Sequence, residues 1–213
     1  MEGESFTIYN VNLSEKSERK TESVDERAKG GRYFEQGILW GALIVITVQV
    51  TLCFDTGLDL DEEYSYLTML GDGLVSICRD ILGAQDTDVP LYYYGLHLWT
   101  RLFGESFLSC RLYSVAGTVA SLTLGATAIR RLWGFRTALL FMLFTGLSPA
   151  MIHVGVNIRM YSWTIFLVVL CALIIYRLTE ESGRRRDWLL LSALTFAGLF
   201  HHYFTAFSFL FLY

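Results

Sequence analysis

The chain has 213 residues, 53% hydrophobic, 15% aromatic and 18% charged, with a mean hydropathy of +0.41. That is more apolar than an ordinary soluble domain and points to an integral membrane protein. The net charge of −4 is small, and the basic residues fall in short loop clusters rather than on a face interleaved with aromatics, which argues against a nucleic-acid partner.

Residues 1–36 are polar and mixed in charge, with Lys16, Arg19, Lys20, Arg27, Lys29 and Arg32 among Glu15, Glu18, Glu22, Asp25 and Glu26. They read as a cytoplasmic tail, because Lys and Arg collect on that side. Ile38 to Phe54 is apolar enough to carry the chain across. From residue 55 to 88 the acids Asp55, Asp59, Asp61, Glu62, Glu63, Asp72, Asp80, Asp86 and Asp88 face a single Arg79, as expected of a loop outside the membrane. Within it Leu67, Leu70, Leu74, Ile77 and Ile81 recur at steps of three and four, which predicts one amphipathic helix lying on the surface.

Leu91 to Phe103 contains His97 and Arg101 and is short for a crossing. Reading it as a second interfacial helix, with Tyr92, Leu96, Trp99 and Phe103 toward lipid, places every later basic cluster inside. Leu112–Ile129 then descends to the loop holding Arg130, Arg131 and Arg136, and Gly117, Ser121 and Gly125 give it a small-residue face for close packing. Residues 138–152 rise again and end near Pro149, His153–Arg159 forms an outer loop, residues 163–176 descend, and Trp188–Tyr213 rises as a last span that ends while still apolar, as in an incomplete chain. The expected fold is an all-α integral membrane bundle of five spans, residues 37–213, with two juxtamembrane helices in the first external loop. The four cysteines are scattered and read as packing residues.

Three separated places deliver polar groups to the outer face: Asp61 with Glu62 and Glu63, Asp88 with Tyr92 and Tyr93, and Asn157 with Arg159 and Tyr161. His202, in the last span, is placed to look into the same cavity. A carboxylate, a guanidinium and an imidazole at one interface suit transfer from a phosphate leaving group to a hydroxyl or amine, the carboxylate taking the acceptor proton and the Arg neutralising the departing phosphate. Neighbouring acids and partial burial would tune Asp61 for that work. The same acids could hold a divalent cation against a substrate phosphate; no metal ligand set is assigned. Each residue also has a plainer reading: acids before a helix cap it, Arg159 snorkels, the tyrosines anchor at the interface.

In order along the chain, Asp61-Glu62-x-Tyr64, Pro90-Leu-Tyr-Tyr93, His97-Leu-Trp-x-Arg-Leu-Phe-Gly104, Arg111-Leu, Arg131-Leu-Trp-Gly134, Ser148-Pro149 with Arg159-Met-Tyr161, and His202-Tyr203-Phe204 make a pattern. It resembles the polytopic glycosyltransferases that use lipid-linked sugars, the group of protein O-mannosyltransferases and lipid A aminoarabinose transferases. The resemblance implies a first external loop of two juxtamembrane helices, Asp61 as the acid acting as base or organising the acceptor, Glu62 as its partner, and Arg159 in a second external loop facing the donor phosphate. Two departures stand out. Asp88-Val-Pro90 occupies a place where the family often has His-Pro-Pro or a Lys, and Asn157 stands where it commonly has an acid. They imply a different donor or acceptor, or lost activity.

The expected function is transfer of a sugar from a polyprenyl-phosphate donor to a glycan, lipid or protein acceptor on the outer face of the cell membrane, N-terminus inside. The rivals are a transporter or flippase of a lipid-linked glycan and a non-catalytic membrane subunit.

Overall fold

The structure, a computed structural model, describes residues 35–54, 57, 59–71, 73–83, 89–180 and 184–213. Of the expected tail, residues 1–36, residues 1–34 lie outside them, and Glu35 and Gln36 are helical. The described residues are helical, without strands. By length and composition three of their helices can cross a membrane: α1 (Glu35–Leu52), the stretch Phe107–Leu147, and α8 (Tyr161–Glu180). Exposed Leu43, Ile44, Val48 and Leu52 on α1 are the kind of surface that lipid covers.

The stretch Phe107–Leu147 is not straight. It comprises α5 (Phe107–Leu124), a π-helical turn (Gly125–Ile129) and α6 (Arg130–Leu147). In a straight helix Gly125 and Phe141 would lie about 24 Å apart at about 1.5 Å per residue. Instead a Cβ on Gly125 would sit 2.7 Å from the Phe141 ring. The chain reverses at Gly134, whose φ of 82° and ψ of 179° an L side chain rarely adopts. Small residues make α5 the central helix: a Cβ on Gly117 would lie 2.9 Å from the Trp163 nitrogen on α8. α6 ends at Ser148, whose hydroxyl accepts from the Met151 N–H and caps α7 (Pro149–Val156), with Pro149 in its first turn. His153 is therefore helical, and the loop expected over 153–159 is only the short segment after Val156.

Three expectations are corrected. The apolar stripe of residues 67–81 is two helices, α2 (Leu60–Met69) and α3 (Leu74–Gly83), with Gly73 at φ 151° between them. Only Ile77 and Ile81 of that stripe are buried; Leu67, Leu70 and Leu74 are exposed. In α4 (Pro90–Phe103) the face expected to meet lipid divides: Tyr92 and Leu96, with Tyr93, are fully buried with Met69, Ile77, Cys110, Ile158 and Met160, Trp99 is half-buried, and Phe103 is exposed as expected, alongside Leu98 and Leu102. An aromatic-rich helix packs inward wherever neighbours offer apolar area.

Trp188–Tyr213 is not one continuous span. α9 (Arg185–His201) stops where His202 turns extended (φ −160°, ψ 129°), and α10 (Thr205–Leu212) follows. A Cβ on Gly198 would lie 2.7 Å from the Phe209 ring, so α10 doubles back along α9. The Thr205 hydroxyl holds the turn by bonding the carbonyls of Gly198 and His202. All four cysteines are unpaired thiols, and Cys53, Cys110 and Cys171 are buried.

Candidate functional site

The first turn of α2, the second turn of α5 and the segment between α7 and α8 meet at one carboxylate. Asp59 is the N-cap of α2, and Glu62, three residues on, turns back to accept the Asp59 N–H at 3.4 Å, a capping-box arrangement. The same carboxylate accepts from Arg111 Nε at 3.2 Å, Arg111 Nη2 at 2.9 Å and the Ile158 N–H at 3.0 Å. Glu62 is 2% exposed and Arg111 4%. Arg111 Nη2 also donates to the Gly57 carbonyl. Two buried charges are tolerable only with such saturation, because each would otherwise carry a desolvation cost of several kcal/mol.

Asp61, the neighbouring residue, points the other way. Its side chain is 75% exposed and lies 3.9 Å from Arg159 Nη2, while the Arg159 side chain is 14% exposed. Arg159 Nη1 donates to Ser65 Oγ at 3.4 Å, and Ser65 donates to the Asp61 carbonyl at 2.9 Å. The burial expected at Asp61 falls instead on Glu62. The two acids read from the sequence as one catalytic pair therefore differ: Glu62 is saturated, and Asp61 faces outward beside a guanidinium.

The segment that carries Arg159 is fixed from beneath. The Asn157 carbonyl accepts from Ser114 Oγ at 2.6 Å and from the Arg159 N–H at 2.7 Å, and the Asn157 amide nitrogen meets His153 Nε2 at 3.2 Å. The Tyr161 ring lies 5.5 Å from that of His202. His202 is buried and its Nδ1 accepts the Phe204 N–H at 3.0 Å, which ties it to the α9–α10 turn. Tyr92 lies in the α4 core, its ring 5.8 Å from Tyr113 and 5.7 Å from His201. Burial, then the nearby Tyr113, hold its phenol well above the usual tyrosine range, so it stays neutral. Tyr93 is equally buried. Asp88 lies outside the described residues.

A cavity of about 320 Å³ opens beside the Glu62–Arg111 pair. Gly57, Asp59, Glu62, Arg111, His153 and Asn157 form its polar wall. Leu52, Ile152 and Val156 form the apolar one. Of the residues expected at the site, Glu62 and Asn157 line this cavity; Asp61 and Arg159 pair at its flank, and Tyr92, Tyr93, Tyr161 and His202 do not line it. Among the described residues no group of three His, Cys, Asp or Glu side chains is arranged to hold a metal ion.

Arg111 is the principal residue that sequence reasoning assigned no role. The available signal was an arginine opening an apolar helix, a position where a charge needs a partner. Asp59 was visible only as one acid of a run.

No protein-family model matches the chain, and comparison with curated proteins and with solved structures finds no match. Fold and site therefore define a class. The described residues are all-helical, with long apolar helices compatible with a membrane, and they carry a buried carboxylate–guanidinium lock, a second acid–arginine pair in which the acid is exposed and the arginine largely covered, and a small cavity beside the lock.

Proposed function

We propose that this chain is a membrane glycosyltransferase moving a sugar from a polyprenyl-phosphate donor to an acceptor on the extracytoplasmic face. The observation that carries the reading is the Asp61–Arg159 pair, drawn from segments almost a hundred residues apart and held at 3.9 Å by the Glu62 lock beneath it. A donor phosphate entering this pair takes Arg159 as its counter-charge and releases the Asp61 carboxylate toward the acceptor. The acceptor oxygen then bonds the anomeric carbon, the bond from that carbon to the phosphate oxygen breaks, and polyprenyl phosphate leaves with the electron pair. Asp61 takes the acceptor proton. Glu62 acts here as a positioning residue, not a base, because its oxygens are already occupied by four donors.

The test is sugar transfer from a synthetic polyprenyl-phosphate sugar by the purified chain in lipid nanodiscs, comparing wild type with Asp61→Asn and Arg159→Lys. Both variants should lose turnover while remaining folded. Unchanged turnover in Asp61→Asn would overturn the reading.

One observation favours the transporter reading. The Gln49 amide in α1 is fully buried, neither of its polar atoms has a hydrogen-bond partner, and it faces Gly155 and Thr118. An unsatisfied polar group inside an apolar helix is costly and marks polar pathways in membrane proteins. Transport of a lipid-linked glycan without transfer, abolished by Gln49→Leu, would select that reading.

A further inference from the structure

Polar residues recur along one buried face of α5. Ser114, Thr118 and Ser121 follow Arg111 at steps of three and four, and each of them is buried. Ser114 and Ser121 donate their hydroxyl protons to the carbonyls of Asn157 and Gly117, at 2.6 and 3.1 Å. At Thr118 this face meets two other helices.

Gln49 arrives there from α1. Its side chain is fully buried, and neither amide atom has a hydrogen-bond partner. Gly155, in the last turn of α7, lies against it: a Cβ added there would sit 2.6 Å from Gln49 Nε2 and 2.9 Å from Thr118 Oγ1. The missing side chain thus brings an amide, a hydroxyl and the α7 backbone to one place, and the Gln49 amide makes no bond to either neighbour. The α7 backbone is open at the same turn. In a continuing helix the Arg159 N–H would close on the Gly155 carbonyl. Here it donates to the Asn157 carbonyl at 2.7 Å, and the Ile158 N–H goes to Glu62 at 3.0 Å.

We propose that Gln49, Thr118 and the Gly155 carbonyl form an internal water site between α1, α5 and α7. An amide buried among apolar helices without a partner carries a desolvation cost, which protein interiors meet with ordered water making about three hydrogen bonds. Gln49, Thr118 and Gly155 offer that number. Water both donates and accepts, so it serves the amide in either orientation. All three residues are neutral, so an ion would find no counter-charge among them. Thr118 lies about 10 Å along α5 from Arg111, which sets the water well inside the apolar part of the bundle. A single bridging water accounts for Gln49 without a continuous polar pathway, and the assignment rests on neither functional reading above.

The experiment uses the full chain in phosphatidylcholine bilayers, labelled with nitrogen-15 at glutamine. Proton-detected solid-state NMR at short mixing times reads magnetisation transfer from water to the side-chain amides. The glutamines of the chain are Gln36, Gln49 and Gln85, and the Gln49 amide is the signal missing from Gln49→Leu. In wild type that signal should show a cross-peak to water. Thr118→Val removes the hydroxyl at nearly constant shape and should weaken the cross-peak by about threefold or more. Gly155→Ala places a methyl in the shared space and should abolish it, with helix content by circular dichroism unchanged. No cross-peak in wild type, or an unchanged one in either folded variant, would overturn the site. Loss of the cross-peak when sodium is replaced by choline would overturn it in favour of a hydrated cation.

Discussion

Glu62 and Arg111 stand 2.9 Å apart in the interior although 49 positions separate them, and the Glu62 carboxylate also receives the Ile158 N–H from a third segment. One side chain thus ties the start of α2, the start of α5 and the junction before α8. The Asp61–Arg159 pair adjoins this lock in the chain on both sides, Asp61 next to Glu62 and Arg159 next to Ile158.

Removing one partner of the lock should be expensive. Glu62→Gln removes the carboxylate charge against the buried Arg111 and should cost about 3–5 kcal/mol, whereas replacing both residues by apolar ones of similar volume should cost much less. Denaturant unfolding in detergent micelles measures both, and a Glu62→Gln variant as stable as wild type would show that the pair does not hold these segments.

Asp61 should behave in the opposite way. Its side chain is 75% exposed and its partner lies 3.9 Å off, so Asp61→Asn should change stability by less than about 1 kcal/mol. If it takes the acceptor proton, the same change should lower transfer by about 100-fold or more. Stability and turnover measured on one preparation separate the two roles: stability follows Glu62, turnover follows Asp61.

The reversal at Gly134 rests on its φ of 82°. Gly134→Ala forces an L side chain into that region and should destabilise by about 1–2 kcal/mol. Gly41→Ala is the control, since Gly41 lies in α1 with nothing within 4 Å of an added Cβ, and it should be neutral or stabilising by up to about 1 kcal/mol. Equal effects of the two substitutions would argue for a straight helix through residue 134.

The α9–α10 hairpin brings Gly198 against the Phe209 ring. Gly198→Leu should overpack this contact and cost about 1–3 kcal/mol. In a Phe209→Ala background the vacated ring volume should absorb the leucine, so the two changes should be strongly non-additive. Additive effects would mean that the residues do not touch and that α10 continues away from α9.

The all-helical character and the apolar helices were legible in the composition and in the length of the apolar runs. Hydrophobicity along a chain reports local solvent preference, and α1 and α8 satisfy it without help from distant residues. The close helix contacts at Gly117 and Gly125 were visible too, because a missing side chain is itself a local signal. Periodicity misled where the partner was out of view. The 67–81 stripe could not reveal a break at Gly73, and the face of α4 that buries Tyr92 was chosen by Met69, Cys110, Ile158 and Met160 from elsewhere in the chain.

What the sequence determined alone was a membrane-compatible set of helices with acids gathered after the first and an arginine before the eighth, since each of these follows from residue identity and neighbours. Only the tertiary structure decided which acid is buried. Adjacent residues on a helix point about 100° apart, so Glu62 turns inward to Arg111 and Asp61 outward to Arg159, and no count of acidic residues distinguishes them until the helix is docked.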